Sequence, residues 1–320
     1  MRAKNNIAPA ANAAGRKKNK TLVKAKGQWQ LYLFMLIPVA FVLVFSYYPM
    51  LGIQLAFKDF DYNLGMWGSE WLGLDHFAKF VDSYMFGRVL KNTLTVSLYG
   101  LVAGFPIPII FALLLNSMQN QKYKKVVQTV TYLPHFISTV VMVGIVMQIL
   151  NPQMGIFGTV WRAITGSQAP DIMANPDAFP HLYVWSGIWQ SVGWNSIVYV
   201  AALSGVDSSL YEAAAIDGAG KFKQVLHIDL PSILPTAILL LIMNAGSIMN
   251  VGFEKVFLFQ NDLNLRTSEI ISTYVYKIGL TGQNDLGYAT AIGLFNSVVN
   301  LILIVIVNTI SSRVSQQSLW

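Results

Sequence analysis

The sequence predicts an all-α polytopic membrane protein with six transmembrane helices, on three observations. Charge is scarce: of 320 residues, 54% are hydrophobic and 12% charged, with a mean hydropathy of +0.49. That composition departs from a soluble domain built round one core. The apolar residues gather in runs free of Asp, Glu, Lys and Arg, each long enough to cross a hydrocarbon layer of about 30 Å as a helix. Between the runs lie polar stretches, two of them rich in Gly, Pro or charge.

In chain order, residues 1–29 form a basic tail and residues 30–320 a six-helix transmembrane domain. The first span is Leu31–Tyr48. A mixed polar segment, Met50–Arg88, leads to span two at Thr93–Leu115, where Pro106 and Pro108 near the middle free backbone carbonyls and predict a kink. Asn116–Val130 is a loop with three lysines, and Leu133–Leu150 is span three with His135 at its entrance. A polar loop, Asn151–His181, follows. Spans four and five, Leu182–Gly205 and Ser232–Val251, flank a short charged loop at 206–231. Gly252–Tyr288 is a third long loop, and Ala289–Ile310 is the sixth span.

The net charge of +7 does not point to nucleic acid, because eight basic residues and no acid stand in residues 1–27. A tail of this kind sets orientation at a membrane. With six spans, fourteen of the 22 basic residues fall on the side of the termini and of the 206–231 loop. Both termini and that loop are therefore expected in the cytoplasm, and the three longer loops outside. No removable signal peptide is read before the first span. The chain has no cysteine, which excludes a disulfide framework and any thiolate metal site.

The 206–231 loop carries the densest local signals. Ser209 stands three residues before Glu212, the spacing of a capping box. Ala213, Ala214 and Ala215 form helix readily and leave one face open to close approach. Gly218 and Gly220 permit a turn, a second helix at about Phe222–Ile228 follows, and Pro231 suits the first turn of span five. The result is a helix–Gly–helix elbow.

Glu212, Ala213, Ala214, Gly218, Ile228, Leu230 and Pro231 have the spacing of the EAA loop, and the chain resembles the permease subunits of binding-protein-dependent ABC importers. The wording YEAAAIDGAG is similar to that of carbohydrate importers, in the subgroup handling oligosaccharides and uronic-acid sugars. The resemblance covers the chain from about Gln30 onward. It implies the type I ABC importer permease fold, a second homologous permease, two ATP-binding subunits and an extracellular sugar-binding protein. It also implies that Glu212, Ala213, Ala214, Asp217, Gly218, Ile228, Leu230 and Pro231 couple to the ATPase. ATP and Mg would belong to that partner, and the setting would be the bacterial cytoplasmic (inner) membrane.

No catalytic residue is read here. Gly218-Ala219-Gly220-Lys221 is a fragment of a phosphate loop without its first glycine or its hydroxyl residue. The four histidines are scattered and form no metal pair. The spans contain no Asp, Glu, Lys or Arg, which counts against the alternative of a secondary carrier or facilitator for a neutral solute, since coupled carriers use such groups. What they offer a substrate is neutral polarity: Asn244, Ser247 and Asn250 in span five, Asn296 and Asn300 in span six, and Trp194 with Asn195 in span four. These amides serve either as glue between helices or as contacts for sugar hydroxyls. Trp185 and Trp189 fit an interfacial aromatic belt, Trp194 is the better sugar contact, and Gln148 and Asn151 are weaker ones.

Overall fold

The computed structural model describes residues 28–282 and 284–315, so nearly all of the basic tail lies outside the described residues. The chain divides into two units, Met1–Gln54 and Leu55–Trp320. The first unit contains helix α1, Trp29–Val42, which runs into a π turn at Leu43–Tyr47 and a last turn at Tyr48–Met50. The amide of Tyr48 donates to the carbonyl of Leu43, five residues back. Pro49 explains the widening: it has no N–H, and its ring crowds the carbonyl one turn earlier, so an extra residue in that turn makes room.

The second unit begins with two paired strands of two residues each, β1 (Lys58–Asp59) and β2 (Glu70–Trp71), antiparallel. They are a small exception to an otherwise helical chain. Helix α2, Asp75–Asp82, follows, then α3, Tyr84–Gly104, and α4, Pro106–Ser117. Span two therefore starts at Tyr84 and not at Thr93, capped by the hydroxyl of Ser83. The regular helix stops at Gly104 and resumes at Pro106, where two prolines remove donors from one turn.

The lysine loop is largely a helix, α5, Gln121–Tyr132, capped by Asn120. Span three is not one straight run from Leu133 to Leu150. Leu133–Phe136 is a 3-10 turn, and α6, Thr139–Leu150, leaves at 103° to the helix before it. Pro134 favours ending the first helix, and Ser138 caps the second by accepting from Val141 at 3.4 Å. Helix α7, Ile156–Thr165, lies in the next loop and ends on Gly166.

Helix α8, Phe179–Ser204, is 26 residues long and packs along α3, α4 and α5. It carries no Asp, Glu, Lys or Arg, yet its Trp, Gln, Asn and Ser residues make it too polar to stand out by hydropathy. Among the described residues four other helices are long and apolar enough to cross a membrane, and the bent pair makes a fifth. Together with α8 this is consistent with six spans. After the 206–231 loop come two long helices, Leu230–Gly246 and Leu286–Ser315, with three short helices, Phe253–Phe259, Leu265–Ser268 and Ile271–Tyr276, between them.

Buried amides tie the longer loops to a span and to each other. The Asn92 amide donates to the carbonyls of Arg266 and Glu269 at 3.0 and 2.9 Å. That of Asn264 reaches Phe259 and Met173 at 3.0 and 3.1 Å. Each satisfies loop carbonyls that would otherwise be buried without a donor. Where α8 crosses α5, a Cβ on Gly193 would lie 2.3 Å from the Thr131 carbonyl oxygen. Gly193→Ala should therefore force the helices apart, at a cost of about 1–3 kcal/mol. Thermal unfolding in detergent should show a lower midpoint, and an unchanged one would mean that the two backbones do not meet this closely.

Candidate functional site

The 206–231 loop folds as an elbow. Its first helix, α9, is Ser208–Ile216. The cap is Asp207 and not Ser209: the carboxylate accepts from the Ser209 amide at 2.9 Å. An ionised oxygen beside a helix N-terminus is a stronger acceptor than a hydroxyl. The backbone and side-chain hydrogen bonds from Ser209 hold Asp207 below the usual carboxylate range. Glu212 is thereby freed from capping. It is exposed and makes no hydrogen bond or ion pair among the described residues.

The helix ends on Gly218, whose φ is +73°. The amide of Ala219 donates to Ala214 at 2.8 Å and that of Gly218 to Ala215 at 3.1 Å. These two bonds make a Schellman close, which needs a left-handed residue at this place. Gly220 has ordinary backbone angles and caps α10, Lys221–Gln224.

The second arm is not a separate helix that stops at Pro231. It passes through a π turn, Val225–Asp229, into α11, Leu230–Gly246, so that Lys221–Gly246 is one helix of 26 residues. The Leu230 amide donates five residues back to Val225, the same device that precedes Pro49. At 1.5 Å per residue this helix is about 39 Å long.

Beneath the elbow, Asp229 is 2% exposed. Tyr211 on α9 donates its hydroxyl to Asp229, and Asn116 at the end of α4 donates its amide at 3.2 Å. One carboxylate thus joins the first arm, the second arm and span two. Burial and the bond to Asp229 push Tyr211 up to about 12, so its hydroxyl remains a donor at neutral pH. Packing beside this knot, Ala112, Tyr199, Leu203, Ile233 and Ala237 form a buried cluster that Leu230 joins. The outer face is open: Ile216 is 87% and Phe222 79% exposed, with Ala213 also exposed and Ala214 half-buried. Asp217 is exposed, Ile228 half-buried and Pro231 exposed.

The far end of the 26-residue helix faces a cavity of about 330 Å³ between α3, α4, α8 and the turn after α11. Asn195, Asn244, Ser247 and Asn250 all line it. Tyr183, Ser97 and Lys255 line it too, and local spacing gave no signal for them. The Ser97 hydroxyl is buried without a partner among the described residues.

The other two asparagines stand behind this wall. Helix α12 is Phe253–Phe259, α13 is Ile271–Tyr276 and α14 is Leu286–Ser315. From α14, the Asn296 and Asn300 amides donate to the Asn250 carbonyl at 3.3 and 3.0 Å, while Asn300 accepts from the Met249 amide at 3.0 Å. This is helix glue. Trp194 does not line the cavity. Its ring stacks on His135 at 4.3 Å, with planes 4° apart, at the bend of span three. Trp185 and Trp189 line a separate apolar groove against α6, and Asn151 caps the turn before α7.

Residues 104–316 match the family model described as "Binding-protein-dependent transport system inner membrane component". The chain belongs to this family. The permease is 41% identical to Protein LplB of Bacillus subtilis (strain 168), over 92% of each chain. It is 39% identical to the polygalacturonan/rhamnogalacturonan transport system permease protein YteP of the same organism, over 98% of each. It also matches a chain in the crystal structure of a bacterial alginate ABC transporter in complex with an alginate pentasaccharide-bound periplasmic protein. That match has a TM-score of 0.84 and 37% identity, covering 93% of this chain and 99% of the other. It is thus a multi-pass inner-membrane permease subunit and not an enzyme, and relatives such as YteP are named for carbohydrate transport.

Asp229→Ala should leave Tyr211 and Asn116 without their acceptor, a loss of about 1–3 kcal/mol. Hydrogen exchange in peptides covering 208–224 should quicken by roughly tenfold or more, with Tyr211→Phe giving a smaller change. Unaltered exchange in both variants would contradict the anchor.

Proposed function

We propose that this permease and a second homologous permease form the path of an oligosaccharide across the bacterial cytoplasmic membrane. Two separate ATP-binding subunits, which carry the ATP and Mg, drive it through the elbow. An extracellular sugar-binding protein delivers the substrate, and both termini lie in the cytoplasm. The oligosaccharide class rests on YteP, on the arabinooligosaccharide permease AraP at 29% identity and on the alginate transporter.

One observation carries the mechanism. The second arm of the elbow and Asn244 of the cavity wall belong to the same helix, Lys221–Gly246, and Asp229 ties the first arm to it. A partner that grips Ile216, Phe222 and the alanine face moves Asn244, and with it the wall on which sugar hydroxyls bind. The grip uses Glu212 and Asp217 for polar contacts, Ala213 and Ala214 for close packing, and Gly218 for the bend. Ile228, Leu230 and Pro231 pass the motion into the span. Asn195, Asn244, Ser247 and Asn250 offer amides and hydroxyls to the sugar, a chemistry suited to polar sugar edges.

Gly218→Trp places a bulky side chain at a left-handed position on the gripping face. In the assembled transporter it should lower sugar uptake at least about tenfold, with less ATPase recovered on co-purification; Glu212→Ala should act in the same direction and more weakly. Normal uptake and assembly in both variants would remove the elbow from the mechanism. Flux in proteoliposomes holding this chain alone would favour a facilitator instead.

A further inference from the structure

The cavity wall is neutral except at one point. Lys255, on α12, is the charged residue that lines it. Its ammonium donates to the Tyr183 carbonyl at 2.6 Å and stands 4.5 Å from the centre of the Tyr183 ring. The Tyr183 hydroxyl accepts from the Gly252 amide at 3.1 Å, which fixes the ring against the turn that carries Lys255. Gly187, one helical turn further along α8, leaves the space: a Cβ there would lie 2.8 Å from the ammonium nitrogen.

This cation has no counter-ion. Among the described residues, Lys79 pairs with Asp285, Arg266 with Asp177 and Lys277 with Glu269, whereas Lys255 pairs with no carboxylate. An ammonium has three donors, and one carbonyl with one ring face leaves capacity unused. Burial without an anion is costly to a cation, and it draws Lys255 down to about 7. Anchoring the loop to α8 could be achieved by a neutral donor. A neutral sugar would gain from the amides nearby and needs no charge.

We infer that Lys255 selects the substrate by charge: the cavity takes an oligosaccharide of uronic-acid units, and one carboxylate pairs with the Lys255 ammonium. This rests on the oligosaccharide reading above and narrows it. A carboxylate arriving between α8 and α12 supplies the missing counter-ion and takes the free donors in charge-assisted bonds. Asn195, Asn244 and Ser247, which line the same cavity, meet the hydroxyl edge of the same sugar. Lys255 is a specificity residue in this account, and the ester or amide of the same sugar loses the pairing while keeping its shape.

The test compares two probes in the complete transporter with its binding protein: a galacturonate oligomer pool, and the same pool methyl-esterified. Both are supplied at saturating concentration, so that capture by the binding protein does not set the difference. The native chain should import the acid form roughly tenfold or more faster than the ester. Lys255→Gln should abolish that preference by slowing the acid form alone, and Lys255→Arg should keep most of it. Equal slowing of both probes by Lys255→Gln marks a structural residue and overturns the inference. So does a preference that persists in Lys255→Gln, or a native chain that shows none. If the native chain imports neither pool but does import a neutral oligosaccharide, the acidic class is wrong while the transport reading stands.

Discussion

A carboxylate buried at the foot of an apolar helix is tolerable only while something donates to it, and Asp229 has Tyr211 and Asn116. That requirement shapes the whole elbow. Tyr211 must point inward from α9, which turns the opposite face, with Glu212, Ala213 and Ile216, outward. The end of α4 must stay within reach, which ties span two to the same point. The π turn at Val225–Asp229 meets a second demand, set by Pro231. It lets the chain carry a proline without breaking the helix. The elbow is thus pinned at its base and free at its tip.

The cavity lies at the other end of that helix. Asn244 and Ser247 are carried on it or at its cap, and Asn250 is held in place by Asn296 and Asn300 from α14. Polar groups in a membrane domain are divided between these two tasks. Those bonded to one another fix the helices, and those left open toward the cavity are available to a substrate. The unpartnered Ser97 hydroxyl and the unpaired Lys255 fall in the second group.

Much of this was legible in the chain. Charge-free runs located the spans, the prolines marked the break in span two, and the Glu-Ala-Ala spacing marked the elbow. Its cap was misplaced by two residues because Ser209 and Glu212 fit a capping box, while the stronger acceptor Asp207 had no such pattern. Asp229 was passed over as the variable position before Leu230. Yet it is the one acid between Asp217 and Glu254, and a lone acid in an apolar stretch calls for a buried partner. The bend of span three was also signalled, by Pro134 and Ser138, but the apolar run on both sides masked it. Trp194 looked like a sugar platform because depth in a helix says nothing about which face it occupies. The links from Asn92 and Asn264 to distant loop carbonyls, and the seat of Lys255, depend on tertiary contacts that no local pattern encodes.

The central claim is that the second arm of the elbow and the Asn244 side of the cavity move as one body. The chain has no cysteine, so Phe222→Cys with Ser247→Cys gives its one pair for spin labels, to be read in a transporter whose other subunits are made cysteine-free. The distance between them should be the same with and without ATP, to within about one helical turn of 5.4 Å. A larger change would place a joint inside Lys221–Gly246, at the π turn or at Pro235, and would contradict the lever.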